Sequence, residues 1–598
     1  MKKRNRKIRS AMAAALAVSM VAAPCSSALA ASTSDEITQR EIDNAALARE
    51  AAGQGMVLLE NENHTLPLKT KKLALFGSGA VRTIKGGFGS GDPFNGGLSG
   101  GGSWDVDLNE RYNIHIYNTF KKAGYDIVNS DMLDAYADAY DAQHKIEGNS
   151  TMNCFKFPEM EISDEELADA SADSDTAIYV ISRNAGEGTD RTLKGTKGTY
   201  NGESYDIGDY YLTDLERENL ERVAASFKKT IVVLNVGGIM DTKFYNEING
   251  LDAMLLMGQA GQEGGNALLD VLTGAVTPSG KLADTWAENY SDYPASDTFA
   301  NADRNVKKEV YNEGIYVGYR YYQTAGVPVA FPFGYGLSYT SFAYSNLQAA
   351  SNGVTLTVTN TGKRAGAEIV QLYVAKPGAE VFRPAQELKG FAKVQLQPGE
   401  SKTVTIPLDD KAFRYWNTKT DSWEVEGGNY ELRVGASSAD IRLTAVVEVA
   451  GTGAPNPYAG KHLPHYTSGK VQSVPDDEWA TLLGRPVQQG KVKIDRNMTL
   501  GELNHSRSPL GWLIWLVLTA LLNASYKRGK PDLNVLFQYN MPLRALAKMT
   551  SGAISMGMVD GIVMELQGFW IIGLVRVIIE AVKNLVLNAQ LEQRLRNS

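Results

Sequence analysis

Thr176–Ile181 reads TAIYVI, and the ten residues after it read Ser182-Arg183-Asn184-Ala185-Gly186-Glu187-Gly188-Thr189-Asp190-Arg191. A short apolar run rich in β-branched and aromatic residues, closed by a Gly/Asn-bearing stretch, has the length and composition of a buried strand. Three more runs share its character: Lys71–Phe76 (KKLALF), Thr230–Val236 (TIVVLNV) and Ala253–Met257 (AMLLM). Between them lie amphipathic helical stretches such as Leu212–Phe227 and Gly265–Leu272. This alternation predicts an α/β domain with a largely parallel sheet over residues 40–340.

The pattern changes on the C-terminal side. Val354–Asn360 (VTLTVTN), Glu368–Val374 (EIVQLYV), Ser401–Leu408 (SKTVTIPL) and Asn429–Val434 (NYELRV) alternate apolar and polar at period two. With turns at Asn360-Thr361-Gly362 and Gln397-Pro398-Gly399-Glu400, residues 341–450 read as a small β-sandwich. Residues 451–480 read as a Pro/Gly/His-bearing linker in which His462 and His465 are solvated, so no metal site is expected. Residues 481–598 read as a helical, partly hydrophobic extension. Within it Ser508–Tyr526 carries no charge, and Lys527, Arg528 and Lys530 follow directly. From Gly501 onward there are ten basic and six acidic residues. A bundle packed on the body or on a partner is expected there, with membrane association through 508–526 as the alternative.

On the N-terminal side, Lys2, Lys3, Arg4, Arg6, Lys7 and Arg9 precede an apolar stretch from Ala11 to Ala23 and an A-x-A pattern at Ala28-Leu29-Ala30. Residues 1–30 therefore read as a secretory signal peptide, and a bacterial secreted or cell-surface protein is expected. Removing them takes away six positive charges and shifts the formal net charge from -8 to -14. An acidic chain of this kind is not built to neutralise phosphates, so nucleic acid is excluded as the main partner. Two cysteines in 598 residues, Cys25 and Cys154, exclude a disulfide scaffold. With 43% hydrophobic and 21% charged residues, the composition is that of ordinary globular domains.

Chemistry concentrates in two loops. The first runs from Gly77-Ser78-Gly79 through Lys85-Gly86-Gly87-Phe88-Gly89-Ser90-Gly91-Asp92. It fails as a dinucleotide fingerprint, because Arg82 stands where a third glycine is needed, so no cofactor is implied. A Gly-rich loop ending in Asp92 can instead bring backbone amides and a carboxylate to sugar hydroxyls, or it is simply a surface loop. The second is the stretch around Glu187, placed at the carboxyl end of a strand, where open α/β sheets bind ligands. Glu187 sits between two glycines, free to project. Asp190 and Arg191 either orient it or pair with each other in a solvated loop.

Taken together, Ala46-Leu47-Ala48-Arg49-Glu50-Ala51-Ala52, Gly55-Met56-Val57-Leu58-Leu59-Glu60-Asn61, Gly261-Gln262-Glu263-Gly264-Gly265-Asn266-Ala267, Pro278-Ser279-Gly280-Lys281-Leu282 and the run from Glu313 to Thr340 resemble glycoside hydrolase family 3, the β-glucosidase and β-xylosidase family. The resemblance covers roughly residues 45–450. It implies the family's α/β sandwich domain at 40–340, a fibronectin type III-like sandwich at 341–450, and retaining hydrolysis of β-glucosides or related β-linked saccharides by two carboxylates. Glu187 then becomes the candidate acid/base. Lys85, Gly89, Ser90, Asp92, Asp190 and Arg191 become candidate substrate contacts.

One departure stands out. The family's nucleophile is an Asp in a Ser-Asp-Trp-like segment of a separate (β/α)8 barrel, and this sequence has no Ser-Asp-Trp. A barrel takes about 250 residues of repeated β/α alternation, and neither flank shows it. Ser291-Asp292-Tyr293 and Asp209-Tyr210-Tyr211 are look-alikes within the α/β pattern. The expected partner is thus a β-linked glycan, together with a barrel-bearing polypeptide or further copies of the chain. A non-catalytic carbohydrate-binding protein and a surface-anchored assembly protein are the alternatives.

Overall fold

The computed structural model describes residues 36–87, 112, 114–147, 155–184, 191–193, 195–299, 309–487, 492–527 and 532–597. The signal-peptide reading of residues 1–30 and both cysteines fall outside them.

In the α/β domain the strands are β1 (Val57–Asn61), β2 (Lys72–Phe76), β3 (Asp126–Ile127), β4 (Thr176–Arg183), β5 (Thr196–Tyr200), β6 (Glu203–Ile207), β7 (Lys229–Val236) and β8 (Leu251–Leu256). The main sheet has the order β1-β8-β7-β4-β2-β3, parallel throughout except for the antiparallel edge strand β1. Its long strands are apolar through their middles because both faces are covered. Phe76, Tyr179, Ile181, Val232 and Leu234 point into one core with Leu167, Leu220 and Val223. Leu75, Ile178, Val180, Val233 and Leu255 point into the other, with Ile116, Phe120, Leu268 and Val271. Each such side chain contributes roughly 1.5–3 kcal/mol by leaving water.

The helices of this domain are α1 (Gln39–Gly55), α2 (Ser78–Val81), α3 (Ile116–Lys122), α4 (Ser130–Glu147), α5 (Asp164–Asp173), α6 (Asp214–Ser226), α7 (Phe244–Glu247), α8 (Gly264–Thr273) and α9 (Tyr319–Ala325). Capping boxes at Thr38/Glu41, Ser163/Glu166 and Thr213/Glu216 start α1, α5 and α6 by satisfying amides that have no partner inside the helix. Strand-to-helix order and the strand positions agree with the expectation from sequence. The polar hairpin β5–β6 was not expected. It turns at Asn201-Gly202, both at positive φ, as a two-residue hairpin loop requires.

The β-sandwich follows, with three strands (Phe342–Ala350, Gly353–Asn360, Ser401–Pro407) facing four (Gly366–Ala375, Glu387–Leu396, Gly428–Gly435, Ile441–Val449). Val354, Leu356, Val358, Val370, Leu372, Leu432 and Val434 fill the space between the sheets. Residues 451–480 do not behave as a free linker. Helices α10 (Pro464–Ser468) and α11 (Asp476–Leu483) pack with Leu463, Tyr466, Val471 and Val474 against Tyr316, Tyr321 and Tyr322. His465, expected to be solvated, is held there too: its Nδ1 lies 2.5 Å from a carboxylate oxygen of the buried Glu478.

The extension is helical as expected: α12 (Pro509–Tyr526), α13 (Leu533–Asn540), α14 (Ala545–Met549), α15 (Met556–Leu566) and α16 (Trp570–Asn597). Its cores draw on Met498, Leu503, Leu518, Leu543, Val559 and Val563, all from the extension itself.

Candidate active site

The carboxyl ends of β2, β4, β7 and β8 converge on one edge of the sheet, and the two loops singled out from the sequence leave from β2 and β4. Gly77 and Gly79 let the β2 loop press on β4. A Cβ on Gly77, which sits at φ 87°, would clash with the Val180 backbone, and one on Gly79 would clash with the Ser182 side chain. Asn235, fully buried near the end of β7, ties the loops that follow β2 and β8 together. Its Oδ1 accepts from the Ile84 amide at 2.7 Å, and its Nδ2 donates to the carbonyls of Ile84 (2.8 Å) and Gly258 (2.7 Å). Lys85 is buried beside this knot, with its carbonyl accepting from the Gly261 amide at 2.7 Å. Gly89, Ser90 and Asp92 lie outside the described residues.

The residues flanking the Glu187 loop on both sides are fastened to α6 and the segment before it. At the loop's start, Arg183 forms a bidentate pair with Glu216, both bonds 2.6 Å and both side chains 5% exposed. Arg183 also donates from Nε to the Asp209 carbonyl at 2.9 Å. At its far end Asp209 accepts from Arg191 Nη1 (2.9 Å), from the Thr192 amide (2.6 Å) and from the Thr192 hydroxyl (2.8 Å). Burial lowers the pKa of the Arg191 guanidinium and Asp209 works against that shift. Arg191 therefore pairs with Asp209, eighteen residues on in the chain. Glu187 and Asp190 lie outside the described residues. Lys85 and Arg191 are brought to the same strand end: Ile84 bonds Asn235, and the Arg191 guanidinium comes within 3.7 Å of the Cβ position of Gly238.

The two nucleophile look-alikes are committed elsewhere. Asp209 serves as the loop clasp just described, and Asp292 caps a short turn by accepting from the amide and side chain of Asn289, each at 3.0 Å. Among the described residues no group of three or more His, Cys, Asp or Glu is arranged to hold a metal ion.

A carboxyl that the sequence reading missed stands next to this clamp. Glu159 accepts from the Ser78 amide at 2.9 Å. Burial, reinforced by the nearby Glu216 carboxylate, pushes it up to about 7. The signal for it was thin: Phe157-Pro158-Glu159-Met160 is one acid in an apolar stretch. A carboxyl that holds its proton more tightly when folded stabilises fully below about pH 4.5, and that contribution is lost as pH rises through about 7. Glu159→Gln keeps the acceptor for Ser78 without the charge. Relative to the unaltered chain it is expected to gain up to about 3 kcal/mol between pH 5 and 8. Urea unfolding at pH 5, 6, 7 and 8 measures this, and a constant difference across that range would assign Glu159 an ordinary acidity.

Against this geometry stand the similarities to known proteins. Residues 56–319 match the glycosyl hydrolase family 3 C-terminal domain, and residues 368–438 match the fibronectin type III-like domain. Beta-glucosidase A of Butyrivibrio fibrisolvens is 35% identical over 490 residues, covering 74% of this chain and 56% of that protein. Thermostable beta-glucosidase B of Acetivibrio thermocellus is 36% identical over 415 residues, covering 68% of this chain and 48% of that one. Among solved structures, beta-glucosidase 3B from Thermotoga neapolitana in complex with alpha-D-glucose superposes with a TM-score of 0.59 at 37% identity, over 69% of this chain and 55% of that one. The chain thus spans about half the length of the relatives it matches. By these two adjoining domains, the sheet edge they build and the sequence they share with β-glucosidases, the chain carries the C-terminal domain of glycoside hydrolase family 3 followed by a fibronectin type III-like domain.

Proposed function

We propose that this chain supplies the acid/base half of a retaining β-glycosidase acting on β-glucosides or related β-linked saccharides. Glu187 protonates the leaving-group oxygen and then activates water, and the nucleophile comes from a (β/α)8 barrel supplied elsewhere. Lys85, Gly89, Ser90, Asp92, Asp190 and Arg191 contact the sugar. The observation that carries this reading is the two-ended clamp, Arg183–Glu216 and Arg191–Asp209, which fixes both ends of the Glu187 loop at the carboxyl edge of the sheet. A mobile acid is a poor catalyst, because general acid–base help depends on hydrogen-bond reach to the reacting oxygen. Retaining chemistry also needs a second carboxylate about 5 Å away; Asp209 is engaged in the loop clasp and Asp292 in a turn cap. A leader at residues 1–30 would export the protein to the cell surface or beyond.

The test is a two-part assay. The purified chain is mixed with the separately expressed barrel portion of a family 3 β-glucosidase, and release of 4-nitrophenol from its β-glucoside is followed. Turnover only in the mixture is the expected outcome. Binding of β-glucosides by the chain with no turnover in any mixture would replace this reading with that of a carbohydrate-binding protein.

A further inference from the structure

The extension is built inside out. In a soluble bundle, apolar residues face the core and the outside is polar. Here Trp570, Ile571, Ile572, Ile578, Val582 and Leu585 of α16 are each more than half exposed. Ile571, Val575, Ile578, Val582 and Leu585 follow each other at spacings of four and three, the seam that a second helix could cover. The apolar face is wider than such a seam, however. Leu574, Ile579 and Val586 flank it where a coiled coil places charges, and they too are about half exposed.

The polar groups and the close contacts lie on the opposite side. Asp560 of α15 accepts from Arg496 (2.6 Å) and from Arg576 (2.7 Å), and Glu580 pairs with Lys583 at 2.8 Å. Helices α15 and α16 touch backbone to backbone at Gly561 and Gly573, and Gly557 makes room for the Glu580 side chain. A Cβ on Gly561 would come within 2.8 Å of the Gly573 carbonyl, and one on Gly573 within 2.7 Å of the Gly561 carbonyl. Small residues at the helix contact and charges paired with one another are the devices of helices whose surroundings are hydrocarbon.

Helix α12 fits the same surroundings. Its 18 residues carry no charge and only 22% of them are buried. They span about 27 Å, close to the roughly 30 Å of a bilayer core. Trp512 and Trp515 stand near one end, and Lys527, Arg528 and Lys530 follow the other in sequence. With ten basic against six acidic residues from Gly501 onward, the extension is mildly basic within an acidic protein, which favours anionic headgroups.

We propose that residues 492–597 seat in a lipid bilayer, with α12 and the outer face of α16 against the acyl chains. This goes beyond the glycosidase reading and does not depend on it. The test uses the full chain purified in detergent and diluted into vesicles of phosphatidylcholine and phosphatidylglycerol at 3:1. After detergent removal the chain is expected to float with the vesicles. Vesicles brominated on the acyl chains should quench its tryptophan emission, and most of that quenching should vanish in the Trp512→Phe/Trp570→Phe variant. A chain that stays in the aqueous fraction as a defined oligomer, unquenched, would overturn the proposal and put a second copy on the α16 seam. The quenching is read on the unaltered chain, so a variant that fails to fold leaves the test intact.

Discussion

In the two-part assay, the Glu187→Gln variant is expected to turn over an alkyl β-glucoside about 10²–10⁴-fold more slowly than the unaltered chain. Alkoxide is a poor leaving group and departs only as its oxygen takes up a proton, which is the step assigned to Glu187. A 2,4-dinitrophenolate leaves without that help, so the loss with the dinitrophenyl glucoside should be much smaller, and azide should restore part of it by replacing activated water. Equal losses on the two substrates would mean that Glu187 does something other than proton transfer. No loss on either would move the acid elsewhere, and Glu159, which burial makes a weaker acid next to the same clamp, would be the first residue to examine.

Arg183→Ala is expected to cost the α/β domain about 3–5 kcal/mol, the range for breaking a buried ion pair by removing one partner. The size follows from what remains. Glu216 would keep its charge with its side chain 5% exposed, and the carbonyls of Ser182, Asp209 and Tyr211 would lose a donor. The double variant Arg183→Met/Glu216→Leu removes both charges and should recover much of the loss. Urea unfolding separates the cases. A single variant within about 0.5 kcal/mol of the unaltered chain would show that solvent reaches the pair, since exposed pairs contribute that little.

How much of this was legible in the sequence depends on the range over which each feature is encoded. Strands β2, β4 and β7 could be read directly because a strand covered on both faces is apolar at nearly every position, as TAIYVI and TIVVLNV are. The sandwich strands could be read for the opposite reason, since one face of each meets solvent and the residues alternate. Hairpin β5–β6 escaped both patterns. Its strands are polar on both sides, with Lys197 against Asp206, and only Asn201-Gly202 marked the turn. The Pro- and Gly-bearing composition of 451–480 hid the apolar contacts of Tyr466, Val471 and Val474.

The site divides the same way. Strand β4, which precedes the stretch carrying Glu187, could be read from its apolar run. The fastenings on either side of that stretch could not, because Arg183 reaches Glu216 33 residues away and Arg191 reaches Asp209 18 residues away. Pairings at such separations are set by tertiary structure. Asn235 did leave a trace, as a lone amide at the end of an apolar strand, a place where a polar side chain persists only if its bonds are made. Glu216 left none, since its acidic position at the start of α6 reads as an ordinary capping residue, a role it also fills.

The most direct measurement is turnover of 4-nitrophenyl β-glucoside by the purified chain with nothing added, beside its Glu187→Gln variant. The account predicts no release above the uncatalysed rate from either, because an acid/base without a nucleophile cannot form the glycosyl-enzyme. Release by the unaltered chain that disappears in the variant would contradict it, and would place a nucleophile within these 598 residues.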